Sequence, residues 1–156
     1  MINDKYEERE VKRAIALKYL WKWIGLPYVW GGDDPLAGFD CSGLIVEVLQ
    51  AVGLMPHRSD DVAGGIFNRF RGCQVGHGYA GCLVVWWASG TDMDDPARAI
   101  HIEMMVDEMH TVGASGGGSK TKTKEDAIAQ NAYVKLRPIG YRWTFYKIVD
   151  PFKAIQ

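Results

Sequence analysis

Up to about Phe70 the apolar residues of this chain recur at steps of three and four; beyond it they gather in short runs bounded by turn residues. That change of period constrains the fold more than any other feature. Spacing near 3.6 lays apolar side chains along one helix face, and a short run suits a buried strand. Val11, Ala14, Leu17, Leu20, Trp21 and Ile24 predict an amphipathic helix over about Tyr6–Ile24, stopped by Gly25 and Pro27. A second helix is expected to open at Asp40-Cys41, with Asp40 as N-cap, Leu44, Ile45, Val48, Leu49 and Val52 as its buried stripe, and Gly53 as its end. A shorter helix is expected over about Asp60–Phe70. The strand-like runs follow: Leu83–Trp87, then a hairpin of Ile100–Val106 and Met109–Val112 turning near Asp107-Glu108. A glycine-rich loop is expected over Gly113–Ser119, a helix from the capping box at Thr123-Lys124-Glu125-Asp126 to about Asn131, and a last strand over about Tyr141–Val149. Helices first and strands afterwards predict an α+β domain, N-terminal helices packed on a central antiparallel sheet.

The length of 156 residues suits one domain, and residues 1–156 are expected to form a single catalytic domain with no separate targeting domain. The formal net charge of −1 offers no electrostatic footprint for nucleic acid or an anionic membrane. No apolar run approaches the length of a membrane span, so no membrane insertion is expected. The N-terminus is polar and lacks the apolar centre of a signal peptide, which predicts synthesis in the cytoplasm. The three cysteines, Cys41, Cys73 and Cys82, are too few and odd in number for a disulfide framework. They fit a chain that needs a free thiol.

Cys41 is the thiol with a chemical setting. On the first turn of a helix its sulfur would meet backbone N–H groups and the positive end of the helix dipole, which favour a thiolate. Small neighbours, Ser42 and Gly43, leave room for a substrate carbonyl. The competing reading is a buried structural cysteine. A nucleophilic thiol needs a base, and among His57, His77, His101 and His110 the strand-borne His101 is placed to present a fixed ring across a cleft. Taken without Cys41, His101 reads as a packed strand histidine. Cys73, His77 and Cys82 match no common zinc spacing, so no metal is expected. The loop Gly113–Thr121 resembles a phosphate-binding loop but carries Ser119 where the lysine should stand. Trp86 and Trp87 read as core, whereas Trp30, beside the glycines, is placed to line a groove.

Pro27-Tyr28-Val29-Trp30-Gly31-Gly32 followed by Phe39-Asp40-Cys41-Ser42-Gly43-Leu44 closely resembles the signature of the NlpC family of papain-like cell-wall cysteine peptidases. Arg58-Ser59 is similar to the family's arginine-serine segment. Gly81-Cys82-Leu83-Val84 resembles its glycine-aspartate-leucine-valine strand with cysteine in the aspartate position, and His101–Val106 resembles its histidine strand. The resemblance implies a papain-like α+β fold and hydrolysis of amide bonds in peptidoglycan stem peptides, near D-glutamate, with no cofactor. It implies Cys41 as nucleophile, His101 as general base, Tyr28 and the Cys41 backbone N–H as oxyanion donors, and Asp40, Ser42 and Arg58 at the substrate.

One position departs from that pattern. The family's third member, a polar residue about twelve positions after the histidine, falls on Gly113, which has no side chain to orient the imidazole. A backbone carbonyl or a water would have to serve, or the nearby His110, which strand alternation sets on the wrong face. The departure motivates a rival: a catalytically weak or inactive binding module of a phage tail or wall complex. A second rival is a papain-like amidase or acyltransferase on a non-wall substrate. The glycine loop and the polar N-terminus are also similar to phage- or prophage-encoded members, for which tail or lysis proteins would be partners and would deliver the enzyme to the wall.

Overall fold

The two hydrophobic periods become two layers. The computed structural model describes residues 2–142 and 145–156. Three helices, α1 (Ile2–Trp21), α2 (Cys41–Ala51) and α3 (Ala63–Phe70), precede the main sheet. A short ribbon of β1 (Asp33–Asp34) and β2 (Gly38–Phe39) lies between the first two helices in the chain. The sheet is built from β3 (Leu83–Trp87), β4 (Ala99–Met105), β5 (His110–Ser115), β6 (Tyr133–Pro138) and β7 (Tyr146–Val149). It is antiparallel throughout, in the order β6-β5-β4-β3-β7. Between β5 and β6 runs α4 (Lys124–Gln130), opened by the expected capping box: Thr123 Oγ1 accepts from the Asp126 amide, and the Asp126 carboxylate accepts from the Thr123 amide.

Alternation along the strands sorts the two faces. Leu83, Val85 and Trp87 of β3 and Ile102 and Met104 of β4 pack with Leu44, Ile45, Val48 and Leu49 of α2 and Ile66, Phe67 and Phe70 of α3 in the main core. Each of those larger side chains is removed from water, worth roughly 1.5–3 kcal/mol apiece. On the other face Cys82, Val84, Trp86 and Met105 form a smaller cluster. His101 and Glu103 share that face by the same alternation.

The helix α1 is rotated from its expected orientation. Ala16 and Leu20 are buried, but Val11, Trp21 and Ile24 are exposed. The packed side also carries a charge. Arg13 donates to both carboxylate oxygens of the buried Asp150 (3.2 and 3.0 Å) and to the Ala80 carbonyl (3.2 Å). Tyr79 Oη adds a 2.7 Å hydrogen bond to Asp150. An arginine on the inner face breaks the apolar stripe that a sequence count looks for.

Other boundaries also moved. The chain forms β6 where no strand was expected. Its Val134 is buried, but Lys135, Leu136 and Arg137 are partly or wholly open, as suits an edge strand. The strand β5 runs on to Ser115, so Gly113 lies within the sheet rather than in a loop. Of the strand expected over 141–149, only Tyr146–Val149 is strand; Tyr141 ends a 3-10 turn, and Trp143 and Thr144 lie outside the described residues. No helix of the described residues is long and apolar enough to cross a membrane.

Candidate active site

The start of α2 is held by its own cap. Asp40 is extended, and its Oδ1 accepts from the Gly43 amide (2.7 Å) and the Ser42 hydroxyl (3.2 Å), while Oδ2 accepts from the Gly31 amide (3.1 Å). The Asp40 amide in turn donates to the Gly32 carbonyl (2.9 Å). This mesh locks the glycine turn against the first turn of α2 and sets Cys41 at the N-terminal position of the helix. Asp40 and Ser42 both border the cleft, but they are bonded to each other and to backbone. Their evident work is capping.

A cavity of about 680 Å³ opens where the start of α2 meets the beginning of β4 and the end of β5. Cys41 and His101 both line it, with Tyr28, Trp30, Asp40, Ser42 and Arg142. The structure therefore brings together seven side chains from four separate stretches of chain. Three of the expected positions, Gly113 within β5, Arg58 and His110, stay outside. Arg58 is exposed, sits in the left-handed region (φ 62°) and borders a different groove with His57 and Ser59. His110 lies at the hairpin turn, its Nδ1 3.0 Å from the Asp107 carboxylate. It is replaced at the imidazole by a residue the sequence reading passed over: Glu103. His101 Nε2 lies 2.8 Å from Glu103 Oε1, with both side chains buried.

Glu103 is itself fully engaged. Thr111 Oγ1 donates to its Oε2 (2.5 Å) and Tyr141 Oη to its Oε1 (2.6 Å). Burial alone would raise this carboxylic acid, but the bonds from His101, Thr111 and Tyr141 outweigh it and hold the group below the ordinary range. At His101 the balance runs the other way: burial lowers the imidazole below its ordinary value, against the pull of Glu103. The ring is thus neutral near pH 7. With Nε2 turned to the carboxylate, Nδ1 is the nitrogen left to take a proton from the cleft.

The Cys41 thiol does not follow the helix-dipole expectation. Burial, reinforced by the Asp40 charge, pushes it up to about 11, although backbone hydrogen bonds from Ile102 and Ser42 and the charge of Arg142 pull it down. Desolvation of a thiolate outweighs a helix terminus here. The resting pair is a neutral thiol and a neutral imidazole. Tyr28 is buried, and burial with Cys41 and Asp40 nearby raises its phenol above the ordinary value, so its O–H remains a donor. Arg142 is a second residue the sequence did not reveal. Its Nε donates to Tyr141 Oη (2.9 Å) and its guanidinium stands over the Trp86 ring. Nothing in local sequence marks it, because only the tertiary path of the segment carries it to the cleft. Glu103 did leave a signal: His-Ile-Glu places two polar side chains on one strand face.

Of the other cysteines, Cys82 is buried in the smaller cluster and Cys73 is half-buried, while His77 faces Glu108 at the surface. Trp86 and Trp87 are both buried, as expected, and Trp30 is exposed at the cleft rim.

A model of the NlpC/P60 family matches residues 25–137, more than half of the chain and the whole of the segment from the glycine turn to β6. Among curated proteins, the gamma-DL-glutamyl hydrolase of Bacillus subtilis is 56% identical over 39 residues, 24% of this chain and 9% of that protein. A bifunctional muramidase/DL-endopeptidase of the same organism is 55% identical over 50 residues, 31% of this chain and 15% of that protein. The matched segments therefore span about a tenth of those relatives' lengths. Among solved structures, the peptidoglycan hydrolase RipB of Mycobacterium tuberculosis superposes with a TM-score of 0.64 at 19% identity, covering 92% of this chain and 66% of that one, a likeness of fold.

Proposed function

We propose, for a chain that belongs to the NlpC/P60 family, that it is a cysteine endopeptidase hydrolysing amide bonds in peptidoglycan stem peptides. The observation that carries the reading is the meeting of Cys41, at the start of α2, and His101, on β4, at one cleft, with the imidazole held by a buried carboxylate. Relatives named for DL-endopeptidase and gamma-DL-glutamyl chemistry support the substrate class and a bond near D-glutamate.

The chemistry follows from the protonation states. His101 Nδ1 takes the Cys41 proton as the sulfur attacks the scissile carbonyl, so a raised thiol is no obstacle once transfer and attack are coupled. Tyr28 Oη and the Cys41 backbone N–H donate to the oxyanion. The imidazolium, steadied by Glu103, gives its proton to the leaving amine as the C–N bond breaks. Water, deprotonated by the same ring, then attacks the thioester and releases the carboxylic acid and the free thiol. No cofactor enters these steps. The Glu103 carboxylate at Nε2 counts against the rival of an inactive binding module, which rested on the bare Gly113.

The test is incubation of the purified protein and its Cys41→Ala variant with peptidoglycan fragments, read by mass spectrometry. New stem-peptide fragments from the wild type alone support the proposal and identify the bond. Absence of products across several wall types overturns it.

A further inference from the structure

We propose that Glu103 is the positioning residue for His101, and that position 113 is glycine because the Glu103 side chain occupies the space a side chain there would need. The inference rests on the Cys41–His101 reading and adds to it a residue on the histidine's own strand.

Three observations converge. His101 Nε2 lies 2.8 Å from Glu103 Oε1; a carboxylate held below its ordinary range accepts there, which calls for the proton on Nε2 and leaves Nδ1 as the basic nitrogen of a ring that lines the cleft. The carboxylate is held by Thr111 and Tyr141, from β5 and from the turn after β6, so its own geometry is set from two sides. A Cβ built on Gly113 would stand 2.3 Å from Glu103 Cγ and 2.7 Å from its Cδ, so only a glycine lets the glutamate lie across the neighbouring strand. A buried carboxylate beside a buried imidazole is a poor stabiliser compared with apolar residues of the same volume. Its arrangement is intelligible if it steadies the imidazolium formed during acyl transfer and selects the productive tautomer. Glu103→Gln would offer an amide to three donors, Nε2–H, Thr111 and Tyr141, and would leave one of them facing an NH₂ group.

Two measurements test this. Long-range proton–nitrogen NMR of wild-type protein at pH 8 should show His101 as the Nε2–H tautomer; the Nδ1–H tautomer overturns the inference without any variant. Alkylation of Cys41 by iodoacetamide is then followed against pH in wild type, His101→Ala, Glu103→Gln and Gly113→Ala, with thermal melts confirming cooperative folding. Glu103→Gln should lower the plateau rate by about 10²-fold or more and move the acid limb to lower pH, because the imidazolium loses its counter-charge. Gly113→Ala should do the same in part, by displacing Glu103. If His101→Ala slows alkylation while Glu103→Gln and Gly113→Ala leave rate and limb unchanged, this inference fails alone. If His101→Ala changes nothing, the Cys41–His101 reading fails with it.

Discussion

A Cβ on Gly43 would stand 2.0 Å from the Gly32 carbonyl oxygen. The first turn of α2 and the glycine turn before it are therefore in backbone contact, and the nucleophile's position depends on that contact. The Asp40 amide donates to the same Gly32 oxygen, so any shift that relieves a side chain at 43 also strains the cap. Gly43→Ala should destabilise the protein by about 2–3 kcal/mol, as overpacking does, and disturb the cleft. Chemical denaturation against wild type, with Cys41 alkylation as the local readout, checks both effects.

The pH dependence has a defined sign. The imidazole must be neutral to accept the thiol proton, and burial lowers His101 below the ordinary 6.5. Activity should therefore be present above that lowered value and be lost as the pH falls through it, with the acid limb of kcat/KM on the acid side of 6.5. A limb at or above that value would show that Glu103 outweighs burial.

Tyr28→Phe removes one donor and keeps the ring. The loss of a single oxyanion donor lowers kcat about 10²–10³-fold in comparable sites, and that range is expected here with the melting temperature close to wild type. A rise in KM alone, with kcat unchanged, would place Tyr28 in substrate binding rather than at the oxyanion.

Arg58→Ala should leave turnover within about twofold of wild type, in the range of a surface substitution, because Arg58 borders another groove. Arg142→Ala should weaken turnover, because Arg142 lines the cleft and bonds Tyr141, a ligand of Glu103. Parallel steady-state assays of the two variants on one stem-peptide substrate decide between the arginines.

The Arg13–Asp150 pair ties α1 to the C-terminal turn with Asp150 buried. Arg13→Ala leaves that carboxylate without its cation and should destabilise by about 3 kcal/mol, while Arg13→Ala combined with Asp150→Asn should recover part of the loss. Thermal melts of the single and double variants measure the coupling.

The sequence by itself determined what local rules govern. Asp40 as cap of α2, the capping box at Thr123, the buried run Leu83–Trp87 and the candidacy of Cys41 and His101 were legible, because caps, short apolar runs and a thiol on a helix's first turn each have nearby causes. Tertiary structure decided what depends on distant neighbours. It turned α1 so that Arg13 faces Asp150, extended β5 through Gly113, added β6 as an edge strand whose polar alternation carried little signal, and kept Arg58 away from the cleft. It also decided the electrostatics: the helix terminus that favours a thiolate lies in a site whose desolvation disfavours one more strongly. The glycine at position 113 read as a missing group only while β4 was unseen beside it. Cross-strand register brings Glu103 into that space, and register is a property of the folded sheet that no window of sequence contains.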